Sequence, residues 1–496
     1  MKRYCYIPTG NEVWFQVAVN LYNAGIAEPV LWNGDDRHFK RAKEVFGDAV
    51  VSRLEIVFYA ERIVGIDYSG EYADFFLSEN YRRAKDRCLK MMDRLDLYGS
   101  FNRLDRDVIF NKLAMWTLKK FEKYKPEALV VSENPHTHTS YLMYEICLFL
   151  NLEIVKFNTW LPLPLLYLQD VRTEQKFERR LALEKNSDKL LNSQLTEFVE
   201  NVAKLRSSGS HVLPAIRAQQ SEIRIKNKIK HFFSVGFVLW AKEIWFQMRM
   251  YFSPHYYPIN PYKLGILGRE RVKFFRKRNL KRAFAKERKR ANLTRPFIYY
   301  ALSFEPERTT NPDGGEFHDQ AIALAKLREL VPKGVQIIVK EHPTQFYRIE
   351  RGTRGRSPIF YNLLNNIEGI TLVGDDIDSL ELIRKSVFVS SISGTVAFES
   401  AIMGKTTLIF GDAWYAGCPN IFKWSDTISY NFIADYVCQP PEAITEFLIK
   451  QKDKYMVFGC QNISAQKKFA RHLNEQFQVD EYAGIYHLLT RFFSSF

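Results

Sequence analysis

An alternation of strand, turn, helix and strand between residues 335 and 411 constrains the fold of this 496-residue chain more than any other stretch. It combines β-branched runs, a turn of small residues, a helical run that ends before Gly404 and a further strand, at 335–339, 387–390, 391–395, 396–403 and 407–410. Short β-branched runs of this kind are typical of buried strands. Strands that alternate with helices predict a parallel, doubly wound α/β sheet.

The same alternation appears at the start of the chain and in its middle. Strands and helices are predicted at 3–7, 12–23, 29–32, 128–131, 141–150 and 153–157. After residue 295 the pattern returns, and the second sheet should contain at least five strands, near residues 297, 335, 371, 387 and 407. The sequence therefore predicts an α/β protein with two Rossmann-like domains. A long, charged, helical region at 75–125 lies within the first of them.

The rhythm also divides the chain into parts. The predicted divisions are a first Rossmann-like domain, a helical, basic and aromatic-rich insertion, a second Rossmann-like domain and terminal helices, at 1–170, 171–295, 296–440 and 441–496. Within the insertion, 207–210 reads Ser-Ser-Gly-Ser, which is typical of a linker.

The turn at 391–395 has the chemistry of a phosphate site. Ser393 and Thr395 are natural N-caps, and Gly394 allows a ligand to approach the backbone. A helix start presents N–H groups and a partial positive charge. His342, which precedes Pro343, should lie at the same sheet edge, because both follow strands of one parallel sheet. The alternative is that the turn only caps its helix.

A second polar loop follows the predicted strand 128–131. It contains Glu133, His136 and His138, before a helix. Histidine titrates near neutral pH, and burial can raise the pKa of a carboxyl group toward that range, so these residues are candidates for acid–base catalysis or acceptor binding. The alternative is that Glu133 and His136 hydrogen-bond the turn and cap the helix. Asp35 and Asp36, after the second strand, are read as ordinary loop residues.

The chain is strongly basic, with a net charge of +15 and a pI near 9.3, which indicates an anionic partner. Residues 269–290 contain twelve Lys and Arg against two Glu. An aromatic helical face precedes them, formed by Phe233, Phe237, Trp240, Ile244, Met248 and Tyr251. This composition predicts attachment of residues 228–290 to an anionic membrane surface. A core helix beside a solvated linker is the alternative, and nucleic acid is disfavoured because no recognised binding motif accompanies the charge.

Cysteine spacing and hydropathy indicate the cellular compartment and the kinds of site to expect. None of the six cysteines forms a CxxC pair, so neither a zinc site nor a redox motif is indicated. The sequence shows no signal-peptide pattern and no uncharged run of 18 residues. We therefore expect a cytoplasmic protein, peripheral on the inner face of the cytoplasmic membrane.

Several motifs occur in an order that resembles a known family. They are 301–308 (ALSFEPER), 311–315 (NPDGG), 340–343 (KEHP), 393–395 (SGT) with Phe398-Glu399, and 410–415 (FGDAWY). Together they resemble the bacterial capsule and surface polysaccharide biosynthesis proteins, which are similar in fold to Kdo transferases and bacterial sialyltransferases. The resemblance implies two Rossmann-like domains facing a cleft, the GT-B arrangement, and a nucleotide-sugar donor, with a CMP-sugar such as CMP-Kdo favoured.

The resemblance also implies site residues. A His-Pro motif and a Ser/Thr turn hold cytidine monophosphate in such transferases; here the matching residues are His342, Pro343, Ser393, Gly394 and Thr395. Lys340 and Glu399 are further candidates for the nucleotide, and Glu305, Glu307, Trp414 and Tyr415 for the donor sugar or its loop. Glu305 departs from the family pattern, where a Gln is expected before Pro-Glu.

The leading expectation is a glycosyltransferase that uses neither a metal nor another cofactor and acts on a lipid-linked or glycan acceptor, with Glu133 or His136 as base. Two alternatives stay open at this point. One is another enzyme on the same fold, such as a sugar-nucleotide epimerase or a glycerophosphotransferase. The other is a non-catalytic scaffold of a polysaccharide assembly complex.

Overall fold

A computed structural model of the chain describes residues 1–33, 36–47, 72–96, 101–160, 163–170, 185–205, 241, 244–245, 248, 265–346, 352, 354–460 and 481–496. Two compact units are present. The first contains Met1–Met92, Leu104–Val199 and Glu442–Phe496, and the second contains Asp93–Arg103 and Glu200–Pro441. Each unit is built on a six-stranded, largely parallel sheet. The predicted α/β class with two Rossmann-like domains is confirmed.

The strands of the first sheet are β1 Lys2–Ile7, β2 Ala27–Trp32, β3 Ala128–Val131, β4 Glu153–Trp160, β5 Leu165–Asp170 and β12 Met456–Phe458, in the order β12-β5-β4-β3-β1-β2. β1 pairs in parallel with both β2 and β3, and β3 pairs in parallel with β4. β5 and β12 complete one edge with antiparallel pairs. The sequence patterns missed both of these strands.

The strands of the second sheet are all parallel. They are β6 Phe297–Ala301, β7 Gln336–Lys340, β8 Ile370–Val373, β9 Val389–Ser391, β10 Thr407–Ile409 and β11 Ile421–Lys423, in the order β11-β10-β9-β6-β7-β8. Both faces of β6 are buried: Ile298 and Tyr300 pack on one side, and Phe297 and Tyr299 on the other. A strand buried on both faces reads as a continuous apolar run, which explains the strong signal of this segment.

The helices in chain order are α1 Glu12–Asn23, α2 Asp36–Phe46, α3 Ala73–Leu77, α4 Glu79–Leu95, α5 Arg103–Tyr124, α6 His138–Phe149, α7 Lys185–Lys204, α8 Gly265–Glu287, α9 Gln320–Leu330, α10 Pro358–Asn366, α11 Ser379–Lys385, α12 Thr395–Ile402, α13 Tyr430–Ala434, α14 Pro441–Tyr455 and α15 Glu481–Phe493. Helices were predicted after residue 441; the described residues there form α14 and α15 and also the strand β12, which was not predicted. Within the described part of the chain, no helix combines the length and apolarity that a membrane crossing requires.

Part of the predicted basic insertion lies outside the described residues. This applies to Phe233, Phe237, Trp240 and Tyr251 of the predicted aromatic face. Positions 241, 244–245 and 248 are helical, in agreement with the predicted helix over this region.

Candidate functional site

The second sheet has a topological switch point between β6 and β9. From β6 the chain adds β7 and β8 on one side and then returns to add β9, β10 and β11 on the other. Helices therefore leave the ends of β6 and β9 in opposite directions, which opens a crevice at the carboxyl edge of the sheet. Ligands of open α/β sheets bind in such crevices. The loops that line it follow β6, β7, β9 and β10, and they contain the residues predicted to bind the donor except Lys340, which ends β7, and Thr395 and Glu399, which lie in α12.

The turn after β9 begins α12 at the crevice. Gly394 is the N-cap, with extended backbone (φ −71°, ψ 149°) and no side-chain capping bond, so the prediction that Ser393 and Thr395 are the caps is wrong. Ser393 instead donates its hydroxyl to the carbonyl of Thr309, at 2.6 Å. Thr395 is exposed and is the first helical residue. A helix start without a side-chain cap leaves N–H groups for an external acceptor.

A buried hydroxyl points to the same place. Ser303, directly after β6, is 6% exposed, and its Oγ has no hydrogen-bond partner among the described residues. This oxygen would lie 4.0 Å from a Cβ placed on Gly394. Buried polar groups are normally hydrogen-bonded, so an unsatisfied hydroxyl beside an uncapped helix start is a mark of a polar ligand site.

His342 stands at the end of β7 in a defined tautomer. Its Nδ1 accepts hydrogen bonds from the backbone N–H of Thr344 at 3.2 Å and pairs with the Thr344 hydroxyl at 2.8 Å. Since a backbone N–H can only donate, Nδ1 carries no proton and the neutral ring is protonated on Nε2. Nε2 is therefore a hydrogen-bond donor. Pro343 follows within the same turn, which closes with Gln345 N–H bonded to the His342 carbonyl at 2.9 Å.

A buried ion pair beneath this turn was not anticipated from the sequence. Glu341 and Arg356 are 3% and 7% exposed and meet through two contacts, at 2.9 and 3.1 Å. Glu341 also accepts from the backbone N–H of His342 at 2.8 Å and from the hydroxyl of Tyr361 at 2.7 Å. Arg356 lies in a charged stretch that resembles any surface segment, so no periodic pattern distinguishes it.

The loop after β6 is fixed by the same network. Arg356 donates to the Ser303 carbonyl at 2.8 Å, and Gln345 bridges both backbone groups of Glu305, at 2.8 and 3.0 Å. The side chain of Glu305 is buried and accepts from Gln320 at 2.8 Å. Glu305 therefore holds the loop from inside, where the family pattern places a Gln. Glu307 is half-exposed and stabilises the loop through its carbonyl, which accepts from the Thr310 hydroxyl at 3.0 Å.

Lys340 takes a different direction from that of His342. Its Nζ donates to the Ile377 carbonyl at 2.5 Å and to the Ser379 hydroxyl at 2.9 Å, and burial lowers the pKa of the amine. These contacts tie β7 to the start of α11. The lysine thus has a structural set of partners away from the turn at 392–395.

Glu399 lies one helical turn after Thr395, half-buried near Tyr299 and Tyr415. Burial raises the pKa of Glu399 to about 7. Tyr415 is fully buried, donates its hydroxyl to the Gly394 carbonyl at 2.6 Å and stacks on Phe398. Trp414 is half-buried, with its ring centroid 4.8 Å from that of Phe398. The aromatic pair after β10 therefore supports the start of α12 directly.

In the first unit, the loop after β3 brings Glu133 and His136 together. His136 Nδ1 lies 2.9 Å from the Asn134 carbonyl and 3.4 Å from Glu133 Oε1. Because a carbonyl only accepts, Nδ1 carries the proton and the neutral ring presents Nε2 as an acceptor. A carboxylate beside Nδ1–H and a basic Nε2 form the arrangement of an oriented general base.

Neither residue caps the following helix. Thr137 is the N-cap of α6 and forms a capping box with Ser140. The capping part of the alternative for Glu133 and His136 is thus wrong, whereas His136 does hydrogen-bond the turn through the Asn134 carbonyl. His138, the third candidate of this loop, is fully buried within the first turn of α6. Within the described residues, no group of three or more His, Cys, Asp or Glu is placed to hold a metal ion.

Several solved structures resemble this chain at low similarity. The KpsC beta Kdo 2,7 transferase of Thermosulfurimonas dismutans is 15% identical, with 41% of this chain and 61% of that one covered and a TM-score of 0.24. The UDP-GlcNAc 2-epimerase of Neisseria meningitidis is 11% identical over 100% of both chains (TM-score 0.22). A family 9 glycosyl transferase of Veillonella parvula is 9% identical over 91% of this chain and 95% of that one (TM-score 0.19). At these TM-scores the likenesses carry no argument about the reaction.

The sequence itself gives the more informative comparison. No curated protein matches the chain. The family model of capsule polysaccharide biosynthesis proteins matches residues 248–419, the stretch that contains α8, β6 to β10 and the loops of the crevice. This match over residues 248–419 agrees with the family resemblance that the motifs predicted.

Proposed function

We propose that this protein is a glycosyltransferase of capsule or surface polysaccharide biosynthesis, which transfers a sugar from a nucleotide-sugar donor to a glycan or lipid-linked acceptor. The family match supports a sugar-related enzyme. The observation that carries the proposal is the crevice between β6 and β9, where an uncapped helix start, an unsatisfied buried hydroxyl and the loop of His342 converge on one sheet edge. A CMP-sugar such as CMP-Kdo is the favoured donor.

The crevice offers what a departing nucleotide phosphate needs. Negative charge develops on the phosphate as the glycosidic bond breaks, and donors fixed in advance stabilise it. The backbone N–H groups at the start of α12 and the Nε2–H of His342 are such donors, and no protein-bound metal is required for this role. Gly394, whose missing Cβ leaves space beside Ser303, lets the phosphate approach the backbone.

The acceptor hydroxyl needs a base. His136, held by the Asn134 carbonyl and by Glu133, presents the Nε2 that would take its proton. The strong positive charge of the chain supports an acceptor or surface that is anionic, and residues 228–290 are proposed to hold the protein peripherally at the inner face of the cytoplasmic membrane.

Nucleotide binding tests the proposal. CMP, UDP, GDP and CDP are compared by their effect on the melting temperature; a nucleotide at 100 times its Kd should stabilise by about 2.7 kcal/mol. His342→Ala and Thr395→Pro should weaken the effect of the bound nucleotide. Proline suits the first helical position and follows an extended Gly394, so Thr395→Pro deletes the N–H while leaving α12 intact.

The control is Glu12→Pro, a proline at the first position of α1, which also removes the Glu12 contacts with His38 and Arg41. Its nucleotide response should equal that of the unmodified protein. If none of the four nucleotides stabilises the protein, the transferase proposal fails and a scaffold is favoured. If one binds but product analysis shows the same product with and without acceptor, an epimerase or related enzyme is indicated.

A further inference from the structure

Helix α8 has one face that packs against its own unit. Leu280, Ala283 and Phe284 join the hydrophobic core of the second sheet, and Phe284 contacts Tyr361 with ring centroids 5.2 Å apart. Glu287, one turn later, is buried and accepts from Asn365 at 2.9 Å. The C-terminal half of α8 is therefore fixed along α10, which sets the direction in which its other side points.

The outward face of α8 combines aromatic and cationic side chains. At 100° per residue, Arg271, Phe274, Phe275, Arg278 and Arg282 all lie more than 90° from Leu280 around the helix axis. Phe274 and Phe275 are 59% and 55% exposed, with ring centroids 5.7 Å apart. Two adjacent phenylalanines exposed on one helix are unusual for a protein surface, because burying them would favourably remove apolar area from water.

The cations of this face are not neutralised nearby. Arg271, Arg278 and Arg282 are exposed and form no ion pair with any acidic side chain among the described residues. Glu287, the acidic residue of α8 whose side chain the structure describes, is directed away to Asn362 and Asn365. The outward face therefore has a concentrated positive field around an apolar pair.

We propose that the outward face of α8 binds anionic phospholipid headgroups, with Phe274 and Phe275 entering the interfacial layer between the arginines. Arginine forms bidentate hydrogen bonds with phosphate, and aromatic rings prefer the interface between headgroups and acyl chains. A nucleic acid would use the arginines and leave the two rings in water, so the rings favour a lipid surface. The inference rests on the proposed function only for its purpose, which is to bring the site to a lipid-linked acceptor.

Co-sedimentation of the full-length protein with vesicles tests this assignment. Vesicles of phosphatidylglycerol and phosphatidylcholine are compared with vesicles of phosphatidylcholine alone across a salt series. The variants are R271Q/R278Q/R282Q and F274S/F275S. Matched controls are K189Q/K333Q/K450Q, which removes three exposed charges elsewhere, and L77S/V437S, which removes two apolar side chains that are 73% and 81% exposed.

The unmodified protein should bind the anionic vesicles and release them as salt shortens the Debye length. Three arginines near an anionic leaflet should contribute roughly 100-fold in partitioning, so R271Q/R278Q/R282Q should lose about that factor. F274S/F275S should lose at least roughly tenfold with an unchanged salt slope, and both controls should bind normally. Nucleotide stabilisation, measured in parallel, should be unchanged in all four, which separates failure here from failure of the transferase proposal.

Two results would overturn the assignment. The first is absence of binding to anionic vesicles at low salt. The second is binding that depends on the arginines but is indifferent to F274S/F275S, together with equal affinity for a single-stranded RNA; that outcome would assign the face to a polyanion and leave the phenylalanines without a role.

Discussion

Replacement of Arg356 by methionine should destabilise the second unit more than any surface change. The guanidinium makes four hydrogen bonds, two to Glu341 and one each to the carbonyls of Ser303 and Gly355. Its side chain and that of Glu341 are almost completely buried. Arg356→Met keeps most of the volume but leaves the Glu341 carboxylate in the interior without its cation.

The magnitude follows from the loss of one partner of a buried pair, which costs about 3–5 kcal/mol. The N–H of His342 and the Tyr361 hydroxyl still bond the carboxylate, so we expect the lower part of this range, about 3 kcal/mol. The double variant E341Q/R356M removes both charges and should recover more than half of the loss. Lys385→Met, in an exposed pair with Glu381 at 2.8 Å, is the matched control and should cost about 0.5 kcal/mol or less.

Hydrogen exchange of the β6 and β7 amides measures the free energy of unfolding of the second unit, and therefore its loss in Arg356→Met. Since 1.4 kcal/mol is a factor of ten, Arg356→Met should accelerate exchange of the most protected amides roughly 10²-fold. A change below about fivefold would contradict the reasoning, as would equal effects of Arg356→Met and Lys385→Met. If E341Q/R356M is no more stable than Arg356→Met, lost packing rather than the unpaired carboxylate accounts for the destabilisation.

Two further predictions concern the site. His136→Ala should keep nucleotide affinity and lose roughly 10²–10⁴-fold in turnover, and Glu133→Gln should lose less. The control Thr137→Ala, which removes only the α6 cap, should keep normal turnover. Normal turnover of His136→Ala would show that the loop has only a structural role. Glu399 has a folded pKa of about 7, above the 4.5 of a free glutamate, so the folded state holds its proton more tightly and stability falls as pH rises between these values. Glu399→Gln should therefore match the unmodified protein at pH 4 and exceed its stability by about 2–3 kcal/mol at pH 8, measured by the urea dependence of α12 exchange; equal stability at both values would contradict the shift.

Strands buried on both faces were predictable because their sequences are uniformly apolar. β3 begins and ends at the predicted residues, 128–131, and β7 is displaced by one residue from the predicted 335–339. Of the missed strands, β11 and β12 are edge strands of three residues each, and such lengths are too short for periodicity to appear. The third, β5, lies between β12 and β4 and pairs antiparallel with both. β12 also depends on pairing with β5, almost 290 residues earlier, which no local pattern can signal.

The position of the candidate site was predictable, since strand ends of a parallel sheet share one edge. The contacts within it were not. Ser393 is a residue type that commonly caps helices, but its hydroxyl donates to the Thr309 carbonyl in the loop after β6. Lys340 is a residue type that commonly binds phosphate, but its Nζ donates to the Ser379 hydroxyl. In both cases a partner from a distant loop outcompetes the local preference that the sequence shows.

Those distant partners determine how the crevice should behave toward a ligand. Ser393 ties α12 to the loop after β6, and Tyr415 ties it to the segment after β10. Gln345 and Arg356 tie the loop after β6 to that after β7. These hydrogen bonds, two buried and two part-buried, leave the described residues of the four loops little freedom to lose, so a nucleotide that fits should bind with little entropic cost of ordering them. Affinity at this site should then depend on the few donors that face the crevice, which is why Thr395→Pro, which removes one N–H together with the Thr395 hydroxyl, is expected to be visible in binding.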